Sequence, residues 1–445
     1  MPEFLKRLRS GSDQIPLWIS ASTNIPTCTT GRRKGRPRKK ASLDAGSLIH
    51  YAGGQDVRSQ NRQRYLTVKL SYFIQPVHPF KKDYRRCLEE DIQSIILADQ
   101  LGYTEAFVGE HFTDLVEPVT STLMFLARLI PETRDIKLGS GVVNLPVYHP
   151  AMLAGHIAMM DHLCDGRFIW GIGPGGQPSD IEAFGNREID RNAKMIEVFD
   201  QIMEIWWGDA PYDLKGEFHS IATTETYLPE IGQGIAPKPL HKPHPPVVVT
   251  AVNPYAKGIT LAAERDWHPI SCQYVQAHWV ATHLPKYLEG LKNAGQPEDP
   301  LGWRVAKMIF VADDAATAER YARAEDGPYG HYFYNLMTKL SSRGRQGLFA
   351  AYPDQPVEEI TLEQSLRTQV IAGTADHVVD QLLKMRDLIG PFGTIVYTGA
   401  DWADEALGKR SMELMAEQVM PRLNDVLKDE EAEITARVTS PVAAE

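Results

Sequence analysis

From Leu66 onward, short apolar runs alternate with longer segments in which apolar residues return every three or four positions. The short runs, rich in β-branched and aromatic residues and bounded by Gly or Pro, read as strands; the longer period reads as helix. Leu66–Ile74 is the first strand, followed by a helix with Cys87, Leu88, Ile92, Ile95 and Ile96 on one face that ends at Gly102. Ala106–Gly109 is a second strand, Thr122–Ile130 a helix and Ile136–Val143 a third strand. A helix over Ala151–Leu163 precedes the strand Phe168–Ile172, and Arg191–Trp207 is helical. Val247–Ala251, His268–Ser271, Arg304–Val311 and Thr394–Tyr397 are four further strands, with helices beginning near Pro254, Gln276, Ala315 and Trp402. Eight such units in series predict an α/β protein, a (β/α)₈ TIM barrel with insertions.

Two stretches break this rhythm. Residues 208–246 carry many Pro and Gly and read as a surface excursion. Residues 313–390 are too long for a simple crossover and are expected to hold a mobile insertion rich in aromatic residues around Tyr329 and Tyr334. The barrel domain is placed at 67–425, with 426–445 as a C-terminal tail.

Composition narrows the class. Of 445 residues 43% are hydrophobic and 23% charged, and no apolar run is long enough for a bilayer, so a membrane protein is not expected. Cys28, Cys87, Cys164 and Cys272 are scattered without metal-like spacing and read as reduced thiols of a cytoplasmic protein. The net charge of −10 is unevenly spread: residues 1–66 hold 13 Lys+Arg against 4 Asp+Glu, a surplus of +9 that leaves −19 for the rest. That basic segment includes Gly31–Lys40, a block around Gly-Arg-Pro that resembles the minor-groove hooks of DNA-binding tails. It reads as a disordered extension, a DNA-binding or scaffolding segment, or a transit peptide. The acidic remainder argues against extended nucleic-acid contact by the barrel.

In such a barrel the chemistry gathers where the strands end at their C-terminal side. His78, in Gln75–Phe80, is placed either at the mouth or on an exposed loop. Glu110-His111-Phe112 follows the second strand directly, and a histidine there can exchange a proton near neutral pH. Gly139–Pro146 offers small residues at a strand end, where a planar ligand can approach the backbone. Gly171–Asp180 has the look of a dinucleotide fingerprint, but Pro178 and Ser179 interrupt the helix start such a loop requires. Asn253 suits a helix N-cap and Pro254 the first helical position, so that turn serves a phosphate or is a plain cap; Lys257 adds charge. His241 and His244 lie in a Pro-rich loop and read as surface linker, and no metal is expected.

Taken in order, Ile136–Pro146, His149-Pro150, Asp161-His162-Leu163, Gly166-Arg167-Phe168 and Gly171–Gly175 resemble the luciferase-like flavin monooxygenases, chiefly limonene hydroxylase-type members and more distantly the α chain of bacterial luciferase. The likeness runs from about Thr67 to Ile270. It implies that His111 is the active-site histidine, with Phe112 in place of a second one. Gly141-Val142 would form a non-prolyl cis peptide beneath the flavin ring, with Asp180 an acidic residue near that ring. Glu110, Asn144, Gly173 and Gly175 are implied as further cofactor contacts. Pro174 stands where luciferase has a phosphate-binding arginine, which transfers that task to Asn253 and Lys257. The implied reaction takes reduced FMN from a separate flavin reductase, and O₂, and passes one oxygen atom to a small apolar substrate; a homodimer is also implied. A deazaflavin-dependent hydride transfer on the same barrel is the competing reading.

Overall fold

The computed structural model describes residues 67–439. The Gly31–Lys40 block, Cys28 and the reading of residues 1–66 as an extension lie outside the described residues.

Eight parallel strands form the wall: β1 Lys69–Ile74, β2 Glu105–Val108, β3 Lys137–Ser140, β4 Phe168–Gly173, β5 Val247–Ala251, β6 His268–Ser271, β7 Arg304–Val311 and β8 Thr394–Thr398. Each pairs with the next, and β8 closes onto β1 with Thr394 opposite Lys69. The (β/α)₈ barrel read from the hydrophobic rhythm is therefore the observed fold. One strand departs from the expected course: Ile136–Val143 is not continuous, because a cis Gly141-Val142 peptide separates β3 from a two-residue bridge, Val143–Asn144. That break lies at the barrel mouth.

Alternate residues of each strand point inward. Phe107, Ile169, Val248, Ile270, Ala306 and Val396 form a central apolar layer, with Phe73 packed on it. The Phe107 ring occupies the room that a side chain at position 139 would need, since a Cβ on Gly139 would sit 2.4 Å from its Cδ1. One layer below, Arg304 donates Nε to Glu105 Oε2 and Nη2 to Glu105 Oε1, each at 2.7 Å. Burial opposes the Glu105 charge, but the adjacent guanidinium outweighs it and holds the carboxyl down to about 2. At the upper end Gly171 lets β4 press against β3: a Cβ there would lie 1.8 Å from the Ser140 carbonyl oxygen. Ser140 Oγ donates to Gly171 O and accepts from Gly171 N, both at 2.8 Å, fixing the residue just before the cis peptide.

The helices follow local signals. Tyr84–Gln100 starts under the Asp83 cap, which accepts from Arg86 N, and stops where Gly102 adopts φ +79°. Three boundary readings are corrected. The strand Val370–Gly373 was not anticipated; it pairs with the upper half of β7, so that Met308 faces Val370 on one side and Thr398 on the other. The helix Ala375–Ile389 then runs from this strand toward β8, and the insertion ends near residue 370, not 390. The inserted aromatics Tyr329, Tyr332, Phe333 and Phe349 pack with Phe310 of β7 in a second apolar core. Residue 425 is likewise no domain end: Met420–Thr439 is one helix with Leu427 and Ile434 buried, and Glu431 accepts from Arg386. Among the described residues no helix is long and apolar enough to cross a membrane.

Two tests address this framework. Glu105→Gln leaves Arg304 buried without a counter-charge and is expected to cost about 3–5 kcal/mol in denaturant unfolding, whereas Glu105→Leu with Arg304→Met recovers most of it. Because the folded-state value is depressed, the contribution of Glu105 is complete at neutral pH and is lost as pH falls from the ordinary glutamate range through about 2. Gly171→Ala forces β3 and β4 apart and should lower the melting temperature; an unchanged melting temperature would refute the close-contact argument.

Candidate active site

Glu110, the first residue past the end of β2 and Gly109, is 2% exposed, and its carboxylate is an acceptor for four donors. Thr122 N and Oγ1 reach Oε2 at 3.2 and 3.0 Å, Tyr148 Oη reaches it at 2.9 Å, and Asn144 N reaches Oε1 at 3.2 Å. Burial raises its proton affinity, and these bonds oppose that shift. Glu110 therefore binds its own loops together. A carboxylate buried this deeply needs such donors.

His111 is partly buried and lies between two acids. Its Nδ1 is 3.3 Å from Asp180 Oδ2 and its Nε2 is 3.6 Å from Glu117 Oε2. Burial lowers the proton affinity of the ring, but the Glu117 charge and the Asp180 hydrogen bond outweigh it, so its value is raised above the ordinary imidazole range. Asp180 also accepts from Thr113 N at 2.8 Å and from Phe112 N at 3.2 Å. Burial would raise the Asp180 carboxyl; the bonds from His111, Thr113 and Phe112 hold it below its usual range. Phe112 packs on Phe184 with ring centroids 4.8 Å apart, making an apolar wall beside the histidine.

The remaining residues singled out in the sequence converge on the same mouth, with exceptions. A Cβ on Gly173 would meet Val142 Cγ2 at 2.7 Å, and one on Gly175 would meet Asn144 Oδ1 at 3.5 Å, so the glycine turn lies against the cis peptide and its neighbour. Asn144, Gly175, Asp180 and Phe112 line one cleft of about 270 Å³. Asn253 is not a helix cap: Tyr255 takes φ +54°, and the helix begins at Lys257 under Ala256. Proline at 254 fits the extended turn before that left-handed residue as well as it fits a helix start. Lys257 is exposed at the first helical position. His78 is neither on an exposed loop nor open to the mouth. It is fully buried, with Asp401 at 2.5 Å from Nδ1 and Asp91 at 3.3 Å from Nε2, because three carboxylates from the helix after β1 and the loop after β8 surround it. His241 does have a carboxylate partner, Asp161 at 2.8 Å.

Three arginines were not singled out from the sequence. Arg191 donates to Gly175 O, Arg343 to Gly176 O and, at 3.2 Å, to Gln177 Oε1, and Arg345 to Asn253 Oδ1 at 2.6 Å. Every one of these acceptors is a neutral oxygen. Burial, then Arg345 and Arg191, push the Arg343 guanidinium below its ordinary range, and its Nε is buried without a hydrogen-bond partner. Converging cations whose partners are all neutral, with an orphaned donor among them, fit a dianionic group such as a phosphate. Arg343 and Arg345 also link the 173–180 turn to Asn253. The available signal was Arg191 at the first position of its helix, where a cation opposes the helix dipole and needs another reason to be there.

A profile described as luciferase-like monooxygenase matches residues 68–390. Limonene 1,2-monooxygenase from Rhodococcus erythropolis is 30% identical over 358 residues, which is 80% of this chain and 87% of that one. The 4-hydroxyprotoasukamycin monooxygenase of Streptomyces nodosus subsp. asukaensis is 29% identical over 368 residues, 81% of this chain and 93% of the other. Among solved structures, the oxygenating constituent of 3,6-diketocamphane monooxygenase from Pseudomonas putida, a type II Baeyer-Villiger monooxygenase in complex with FMN, shares the fold. Its TM-score is 0.73 at 23% identity, covering 80% of this chain and 98% of that one. With a matching profile across the barrel wall and relatives that are monooxygenases over most of both lengths, the chain belongs to the luciferase-like monooxygenase family.

Proposed function

We propose that this monooxygenase is the oxygenating constituent of a two-component system, taking reduced FMN from a separate reductase and adding one atom of O₂ to a small apolar organic molecule. The observation that carries this reading is the uncompensated arginine group Arg191, Arg343 and Arg345 on the same mouth as His111. A flavin phosphate would supply the missing charge. The relative that holds FMN and the relative that acts on limonene support the same cofactor class and an apolar substrate.

In this reading the three guanidiniums bind the phosphate, and Gly173 and Gly175 keep the turn free of side chains so that the backbone can approach a ring. Gly141, Val142 and Asn144 form the strand-end surface facing it. When bound, reduced flavin supplies the two electrons that activate O₂. His111 holds a proton between Asp180 and Glu117 and delivers it to the oxygen that ends as water. Asp180 fixes the ring through Nδ1, while Phe112 and Phe184 keep that side of the mouth apolar and exclude water. Lys257 is placed at the rim, where it adds long-range attraction for an anion.

The direct test is to load the protein anaerobically with FMNH₂, mix it with ¹⁸O₂ and limonene as first probe, and look for labelled product by mass spectrometry. Tight binding of a deazaflavin with no FMN binding would replace this reading with hydride transfer. Arg345→Ala and Arg343→Ala should each weaken FMN binding roughly tenfold to a hundredfold while leaving riboflavin unchanged, as read by flavin fluorescence. His111→Gln should lower turnover about 10²- to 10⁴-fold with FMN affinity retained. Because the histidine is the donor and its value is raised, wild-type turnover should fall as pH rises above the ordinary imidazole range, and that limb should vanish in His111→Gln.

A further inference from the structure

The helix Pro328–Ser341, in the insertion, sends Lys339 down onto the loop that carries His111. Lys339 Nζ is 2.5 Å from Asp114 Oδ2 and 2.6 Å from Glu117 Oε2. The second contact matters, because the same Glu117 Oε2 is the atom 3.6 Å from His111 Nε2. One carboxylate oxygen is thus shared between a barrel histidine and a cation from outside the barrel.

The two acids around His111 are held differently. Asp180 is fixed by Phe112 N, Thr113 N and Thr113 Oγ1, all on the barrel rim. Glu117 has the Lys339 ammonium at 2.6 Å as its nearer partner, with the histidine 3.6 Å away. Lys339 is joined to the rim beside other polar contacts of the insertion, those of Arg343 with Gln177, Arg345 with Asn253 and His331 Nε2 with His78 O at 3.3 Å. Gln177 completes the ring by donating to Asp114 Oδ2 at 2.9 Å. From the other side, Asp91 of the helix Tyr84–Gln100 lines a cavity of about 220 Å³ with His111 and Glu117, but its carboxylate is engaged by His78. Tyr332, on the same inserted helix, is hydrogen-bonded to Gln273. The charged groups that bear on the histidine are therefore Asp180, Glu117, Asp114, Asp91 and Lys339.

We propose that Lys339 is a positioning residue for the proton donor: by drawing Glu117 to itself, the docked insertion leaves His111 with one unshared carboxylate, and the ring then gives up its proton more readily. Without the Lys339 ammonium, Glu117 is free to pair with the imidazolium and the ring keeps its proton. In monooxygenation two electrons and two protons accompany O₂; one oxygen atom joins the substrate and the other leaves as water. His111 gives one of those protons from Nε2 to the departing oxygen and regains it from solvent. The same electrostatic logic underlies the opposite effects of Glu117 and Lys339 on the ring.

This rests on the reading of His111 as the donor, yet the coupling has a readout that needs no turnover. Titration of His111 by NMR in the full chain, with ring-labelled histidine and assignment by His111→Gln, gives its midpoint directly. Lys339→Met should move that midpoint up by about one pH unit, Lys339→Arg should leave it near the wild-type value, and Glu117→Gln should move it down. In the Glu117→Gln background, the Lys339→Met shift should shrink to a small part of its full size, the remnant due to the direct charge effect. A midpoint that stays or falls in Lys339→Met, or a shift that persists undiminished without Glu117, overturns the proposal. Circular dichroism of Lys339→Arg and Lys339→Met checks that both are folded. If the titration responds as expected but the pH dependence of ¹⁸O incorporation does not follow it, the coupling stands and the role of His111 in turnover fails.

Discussion

Desolvation of the Glu110 carboxylate is the constraint around which the mouth is built. A charge that deep in a barrel rim has to be met by donors, and those donors come from the start of the helix Thr122–Leu129, from the bridge at Asn144 and from Tyr148. Satisfying one side chain therefore sets the positions of three separate chain segments. His111 inherits its place from this arrangement, being the next residue along, and the cis Gly141-Val142 peptide inherits its place because Asn144 is tied to Glu110 through both its backbone nitrogen and its side chain.

Charge is arranged around this centre in two zones. On the histidine side acids predominate: Asp180, Glu117 and Asp114 are offset by the single ammonium of Lys339. On the glycine-turn side, Arg191, Arg343 and Arg345 rest on neutral oxygens. An anionic group entering the mouth would be drawn toward the second zone and away from the first. Acids and unpaired cations are thereby kept apart within one opening. The buried ion pairs of His78 with Asp401 and Asp91 lie behind the histidine zone and stiffen the rim between β1 and β8.

The barrel was legible because its wall obeys a local rule. The alternation of short strand-like runs with longer helical periods marks the strands, and β5, β6 and β7 were placed to the residue. Where a rule other than local pattern decided the outcome, the sequence was less informative. The extra strand Val370–Gly373 follows directly on the helix Leu362–Gln369 and draws its hydrogen bonds from the upper half of β7, a partner about sixty residues away that periodicity does not register. Asn253 and Pro254 have the composition of a helix start, but the left-handed Tyr255 delays the helix to Lys257. The arginines of the mouth were hidden for a related reason: Arg343 and Arg345 lie far along the chain from the turn they touch, and a lone arginine in a loop carries no spacing signal. By contrast His111 was visible because it comes just after a strand end that the alternation had already fixed, whereas Asp180, its partner here, was reached only through the family resemblance.

The strand Val370–Gly373 gives the insertion an architecture with its own logic. Its return leg is woven into the wall beside β7 by four paired positions, so the inserted arc leaves from the top of one strand and re-enters the same sheet next to it. Departure and arrival points are thus neighbours, and whatever lies between them forms a closed handle whose size has no bearing on barrel closure. The handle packs its aromatics with Phe310 of β7, and it contributes Lys339, Arg343 and Arg345 to the mouth. Such a handle can be lengthened or shortened without disturbing barrel closure, whereas re-facing it would change which cations reach the mouth.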